Sequence, residues 1–220
     1  PGGSNFALST AANSAANPKF DPQETRNFEI GTKWDLLKEK LSFTAAVYRT
    51  NVSNEVVQNQ TDLLYYQTGE KRVDGLELGV TGAINRDWLV SAGYAYMKTS
   101  VQAGPAVTAN GENNLAYAPK QAFTLWSSYQ VQKGWKIGGG ARFVDALLRG
   151  TDGAVGTPAK SDSYWVLDAM TSYSVNKNID LQLNINNLLD KTYVAAINKS
   201  GYRYTPGTPR AVTLGVNVKF

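Results

Sequence analysis

The C-terminal stretch Ala211-Val212-Thr213-Leu214-Gly215-Val216-Asn217-Val218-Lys219-Phe220 puts Val212, Leu214, Val216, Val218 and Phe220 on one side and Ala211, Thr213, Gly215, Asn217 and Lys219 on the other. Successive side chains of a strand point in opposite directions, so strict alternation marks a strand whose two faces meet different surroundings. The pattern recurs going back along the chain. Ile179, Leu181, Leu183 and Ile185 alternate with Asp180, Gln182, Asn184 and Asn186. Trp165, Leu167, Ala169, Thr171 and Tyr173 oppose Asp168 and Ser172, and Trp135, Ile137, Gly139, Ala141 and Phe143 oppose Lys136, Gly138, Gly140 and Arg142. Helical periodicity is hard to find anywhere.

These stripes place nine strands, near 24–36, 40–50, 72–84, 88–100, 119–131, 135–147, 163–175, 179–190 and 209–220. The connections alternate in length. Those around 37–39, 85–87, 132–134 and 176–178 are tight and polar, as hairpin turns should be. Those over about 51–71, 101–118, 148–162 and 191–208 are long and rich in Gly, Pro, Asn and Thr. Residues 1–23 read as a further Ser/Ala/Asn-rich loop or tail.

Composition narrows the chemistry. Among 220 residues there is no Cys and no His, which removes disulfides, thiol catalysis, Cys-ligated metals and the commonest general base. An enzyme of the His-dependent kinds is therefore excluded. The net charge of +4 is spread along the chain, without the single basic face that nucleic-acid binding requires. With a mean hydropathy of −0.32 and no apolar run near about 18 residues, a helical membrane span is excluded.

A strand wall is another matter. In lipid every backbone polar group must be satisfied within the protein, so β-structure spans a bilayer only as a closed barrel. Such strands need about 9–11 residues to cross and combine short periplasmic turns with long external loops. All of these features are present. The small and polar faces (Asn184, Asn186, Ser172, Gly138, Gly140) suit a wet lumen, and Trp34, Trp88, Trp135, Tyr164, Trp165 and Tyr173 crowd strand ends where an interfacial girdle would lie. A soluble β-sandwich also alternates, but has no reason to sort its loops by parity. The expected fold class is all-β, an antiparallel transmembrane β-barrel. With tight turns periplasmic, strand 209–220 runs inward and strand 24–36 does too, so the first strand starts outside the cell. Complete bacterial barrels have an even strand number, so nine strands predict a C-terminal portion of a larger barrel, residues 24–220, preceded by an extracellular segment 1–23.

Five motifs then carry a resemblance. Pro18-Lys19-Phe20-Asp21-Pro22-Gln23-Glu24-Thr25-Arg26-Asn27-Phe28-Glu29-Ile30-Gly31-Thr32-Lys33, Arg72-Val73-Asp74-Gly75-Leu76-Glu77 and Val90-Ser91-Ala92-Gly93-Tyr94-Ala95-Tyr96 come first. Asn184-Ile185-Asn186-Asn187-Leu188-Leu189-Asp190-Lys191-Thr192-Tyr193 and Pro206-Gly207-Thr208-Pro209-Arg210 follow, in order. Together they resemble TonB-dependent outer-membrane receptors, with the flavour of the catecholate-type ferric-siderophore branch. The resemblance implies a barrel of about 22 strands with a plugged lumen, of which these are the last nine. It also implies a plug domain and a TonB box outside this chain, uptake of ferric siderophores across the bacterial outer membrane, and energy delivered through TonB. No cofactor is expected to bind directly, since ferric iron travels inside the siderophore. The terminal aromatic Phe220, with Leu214, Val216 and Val218, is by resemblance the signal read by the barrel-assembly machinery.

A ferric–catecholate complex is anionic and aromatic, so Arg and Lys charges and aromatic rings are its sensible partners. The candidates in the long loops are Tyr65, Tyr66, Arg72, Arg149, Tyr202, Arg203 and Tyr204. The same residues also fit a role as solvated loop groups or as charges facing lipopolysaccharide. Glu29, Lys33, Glu77, Arg142 and Asp168 are placed in the lumen, bracing a plug or pairing with each other. Two rival functions share this strand grammar, a passive porin-like channel and a soluble β-sandwich binding module.

Overall fold

A computed structural model describes residues 14–15, 17, 19–59, 61–151, 156–198 and 203–220. Nine strands form one antiparallel sheet: β1 (Glu24–Leu36), β2 (Leu41–Gln58), β3 (Tyr65–Ala83), β4 (Trp88–Ala103), β5 (Gln121–Gln132), β6 (Trp135–Val144), β7 (Tyr164–Ser174), β8 (Ile179–Asn186) and β11 (Ala211–Val218). Their order in the sheet follows the chain, β1 to β8 and then β11. Between the last two lies a small separate hairpin, β9 (Val194–Ile197) with β10 (Tyr204–Pro206). No helix occurs among the described residues.

Register keeps the alternation in phase across all nine strands. Lys33, Thr44, Gly79, Gly93, Thr124, Arg142 and Val166 form one cross-strand row, next to Gly31, Ala46, Glu77, Ala95 and Ala122. On the opposite side Ile30, Val47, Leu76 and Tyr96 align, as do Leu125 with Ala141 and Leu183 with Leu214. The sheet thus has one polar, small-residue face and one apolar face.

No described residue covers the apolar face. Among the described residues only Val101 and Val166 are buried hydrophobics, whereas Ile30 is 79% and Leu214 67% exposed. A soluble sandwich would bury those rows beneath a second sheet; here they wait for lipid. Aromatics bound the apolar band at both ends. Near the tight turns, Trp34 stacks on Phe43 at 5.3 Å and Trp88 meets Tyr129 edge-on at 6.4 Å. Near the long loops, Trp165 packs against Phe123 and Phe143 at 5.8 and 5.0 Å. The indole N–H groups are satisfied locally, Trp88 donating to Ser127 Oγ and Trp135 to Thr171 Oγ1, as half-wet interfacial indoles require. Tyr164 departs from expectation. It sits one residue from Trp165 and so on the polar face, its ring tilted 33° against Tyr193 with centroids 4.2 Å apart.

Three boundaries also differ. The segment 51–71, expected to be loop, is mostly strand: β2 and β3 continue pairing to Gln58 and Tyr65, with irregularities between Val52 and Val57. Asn54, at φ 58°, lies inside that irregular stretch. Conversely, β6 ends at Val144 and β8 at Asn186, short of the expected 147 and 190. The Gly138-Gly139-Gly140 run also has a packing reason. Trp126 lies flat over it on the polar face, where a Cβ on Gly140 would fall 2.6 Å from Trp126 Cε3 and 2.9 Å from the Leu125 carbonyl oxygen.

Candidate functional site

The long-loop end of the sheet carries the chemistry. Its most prominent element is the β2–β3 hairpin, whose tip is held by local polar bonds. Asp62 accepts from the Leu64 N–H at 2.9 Å and from the Tyr66 hydroxyl at 2.8 Å. These two donors, the amide first, hold the Asp62 carboxyl below the usual carboxylate range. Leu63 takes a left-handed conformation, φ 59°, and bonds back to Asn59. Tyr65 and Tyr66 pair with Gln58 and Val57 at the top of the ladder. Tyr66 thus presents an exposed ring with its hydroxyl already oriented.

Arg72 follows Lys71 directly in the chain, and strand alternation puts the two on opposite faces. Lys71 lies in the polar-face row with Val52 and Val101 and makes an ion pair with Glu55. Arg72 shares the face of Leu76 and Leu78, where its Nε donates to Asn51 Oδ1 at 2.8 Å. A ligand approaching along the polar face would meet Lys71 and not Arg72.

Arg149 is buried. Its Nε donates to the Pro158 carbonyl and its Nη1 to the Gly150 carbonyl, both at 3.0 Å. Around it two long loops bond to one another: Ala109 N–H to Arg149 O, Thr151 N–H to Val107 O and Tyr117 N–H to Leu148 O, with a bridge at Thr108–Gly150, while a Leu148–Lys160 bridge closes the second loop on itself. The guanidinium is therefore occupied in bracing its own loop, 145–163, while backbone bonds from Leu148, Arg149 and Thr151 join that loop to 104–120.

Arg203 and Tyr204 belong to the β9–β10 hairpin. Tyr204 pairs with Ile197 and is 64% exposed, and the Arg203 carbonyl accepts from the Asn198 N–H at 2.8 Å. Tyr202 lies outside the described residues. This hairpin leaves the wall between β8 and β11, so β4 to β8 separate it from the Tyr65–Tyr66 tip, and no hydrogen bond, ion pair or ring contact among the described residues joins the two groups.

Beneath the β9–β10 hairpin is a structural centre that spacing alone did not disclose. Asn187 is 2% exposed with φ 52°. Its Nδ2 donates to the carbonyls of Lys191 and Thr208, each at 2.9 Å, and its Oδ1 accepts from the Lys191 N–H at 2.8 Å. Its own N–H donates to Asp168 Oδ1 at 2.8 Å, while Asp190 Oδ1 accepts from the Arg210 N–H at 2.9 Å. One side chain thus ties both ends of the hairpin's stem to the wall. Only the Asn-rich segment's family resemblance marked it in sequence.

Of the charges expected on the polar face, Arg142 and Asp168 pair with each other across β6 and β7 at 3.6 Å, and Lys33 pairs with Asp35 at 3.5 Å. Glu29 stands opposite Tyr48, and Glu77 opposite Ala46 and Ala95.

Comparison with known proteins places this arrangement. The family model described as TonB dependent receptor-like, beta-barrel, matches residues 1–188. The catecholate siderophore receptor Fiu of Escherichia coli (strain K12) is 50% identical over 222 residues, covering 100% of this chain and 29% of Fiu. The probable TonB-dependent siderophore receptor PiuA of Acinetobacter baumannii is 40% identical over 215 residues, covering 94% of this chain and 28% of PiuA. The crystal structure of the ferric-catecholate import receptor Fiu from K12 E. coli, closed form, superposes with a TM-score of 0.93 at 49% identity, covering 100% of this chain and 31% of that one. The chain spans less than a third of the length of these relatives. Its uncovered apolar face fronts lipid and its polar face fronts the bore, and the chain belongs to the TonB-dependent receptor-like β-barrel family of the outer membrane.

Proposed function

We propose that the protein carrying this chain is an outer-membrane receptor that takes up ferric siderophores of the catecholate class, energised through TonB, and that this chain is the C-terminal part of its barrel. The observation that carries the reading is 50% identity with a catecholate siderophore receptor along the entire chain. The iron is cargo within the siderophore and not a resident cofactor. Tyr65, Tyr66, Arg203 and Tyr204, with Tyr202, are the proposed contacts, since exposed rings and a cation at the loop end complement an anionic aromatic complex. Arg72 faces away from the bore and Arg149 is bonded to loop carbonyls, so we assign neither to the ligand. Expression of the intact receptor in a host lacking catecholate receptors is expected to restore growth on a ferric–catecholate under iron limitation. Replacing Arg203 and Tyr204 by alanine should weaken uptake about tenfold, the loss of roughly one charge-assisted contact. No restored growth would overturn the transport reading, and undiminished uptake by the variant would overturn the contact assignment.

The same reading extends to assembly. Leu214, Val216, Val218 and Phe220 form the exposed apolar row that ends the chain, and we assign it as the feature the barrel-assembly machinery recognises. Deleting Phe220 is expected to lower the folded, heat-modifiable receptor in outer-membrane fractions. Normal levels of folded protein would refute the assignment.

A further inference from the structure

The lipid-facing side of β2 to β5 carries no charge for most of its height. From the tight turns upward it reads Phe43, Ala45, Val47 on β2, Val80, Leu78, Leu76 on β3, Trp88, Val90, Ala92, Tyr94, Tyr96 on β4 and Tyr129, Ser127, Leu125, Phe123 on β5. Immediately beyond the row Val47–Leu76–Tyr96, the same face becomes ionic. The next row is Arg49–Asp74–Lys98 and the one after it Asn51–Arg72–Ser100, with Arg26 opposite Asn51 on β1. Lys120 adds its ammonium over the Tyr96 ring, 5.8 Å from the centroid.

The cations outnumber the acids and are only partly offset by them, Asp74 standing opposite both Arg49 and Lys98 in the register. Asp74 is bound to Arg49 Nε at 2.6 Å and Glu24 to Arg26 at 3.2 Å. Arg72 is oriented by a neutral partner, Asn51, and Glu70 lies two residues along its strand. Among the described residues Arg72, Lys98 and Lys120 make no ion pair with a carboxylate, although Arg72 and Lys98 lie in successive rows of β3 and β4 and Lys120 immediately precedes β5. Arg72 and Lys98 are diagonal neighbours on β3 and β4, the spacing at which long side chains converge on one group.

Position decides the partner. These groups point away from the bore, so the transported ligand does not reach them, and they begin where the hydrocarbon band ends. That level is occupied by lipid headgroups, where a cation cluster lowers the free energy of an anion. We infer that Arg72 and Lys98, assisted by Arg49 and Lys120, form a binding site for the phosphate groups of a phosphorylated outer-leaflet glycolipid. The inference rests on the outer-membrane reading and deepens it by naming the residues that meet the lipid.

The test uses the intact receptor, extracted in mild detergent from outer membranes, with bound lipid measured by native mass spectrometry and phosphorus analysis. The wild type should retain phosphorylated lipopolysaccharide, and Arg72→Gln/Lys98→Gln should retain about tenfold less, as expected for two lost headgroup charges. Arg72→Lys/Lys98→Arg should restore retention. Added lipopolysaccharide should rebind the delipidated wild type, whereas the same lipid stripped of phosphate should not. Equal retention by the neutral double variant, or rebinding indifferent to phosphate, would overturn the site. A neutral variant that keeps its lipid but loses ferric–catecholate uptake would also overturn it, by placing these residues in the ligand path. Heat-modifiability and fractionation of each variant report membrane insertion separately, so a failed membrane reading would show as wild type absent from the outer-membrane fraction.

Discussion

Replacing Gly82 by alanine in the intact receptor is expected to abolish most of its folded population. Gly82 has φ 138°, in the region that L side chains rarely occupy. An added Cβ would also collide with the Lys40 carbonyl oxygen and lie 2.9 Å from Leu41 Cα, both backbone of the paired strand. That carbonyl is not free to retreat, because it accepts the Ala83 N–H at 2.7 Å at the closure of the β2–β3 register. The dihedral alone costs about 1–3 kcal/mol, and the collision forces the strand pair apart on top of it. Gly139→Ala is the matched control, since its Cβ would stand 3.5 Å from the Asp168 carbonyl in ordinary contact. Unheated gel mobility and urea midpoints measure both; a Gly82→Ala protein as stable as the Gly139→Ala control would contradict the backbone account.

Asn187→Ala is expected to be nearly as damaging, and to damage a particular place. The substitution removes the donors to Lys191 and Thr208 and the acceptor for the Lys191 N–H. Leaving a buried polar partner unmet costs about 1–3 kcal/mol, and alanine tolerates the left-handed conformation less well than asparagine. The stem of the β9–β10 hairpin would then be held by what remains: the Arg210 N–H bonded to Asp190 Oδ1, the Gly207 N–H bonded to the Tyr193 carbonyl and the Tyr193 ring lying on Gly207. Stability should fall by about 2–3 kcal/mol, and protease cleavage should appear first within 191–208. Asn187→Asp keeps the acceptor and loses the donors, so it should fall between the two. Cleavage that begins elsewhere, or an alanine variant of full stability, would show that Asn187 is not the tie.

Comparing chain and structure, the strands that cross lipid could be read from alternation because one face must be apolar for their whole height. Trp34, Val47, Leu78, Phe123 and Leu214 all declared their side without any knowledge of partners. The upper half of the β2–β3 hairpin could not be read that way. Above the bilayer both faces are wet, so Asn51 to Gln58 pair as strand without a stripe and look like loop. Arg149 shows a different limit. Its burial follows from two loops meeting across about forty residues, and nothing local distinguishes it from Arg203, which stays on an exposed hairpin. For Lys71 and Arg72 the information was present, since adjacent strand residues face opposite ways, but it could be used only once the strand was known to begin before them.

The bonding of segment 104–120 to segment 145–163 makes those two excursions one mechanical body. Neither can drift in length or backbone path without disturbing carbonyls and amides supplied by the other. Insertions tolerated in one should therefore require a matching change in its companion, and across natural variants the pair should diversify in concert while the β2–β3 tip varies on its own.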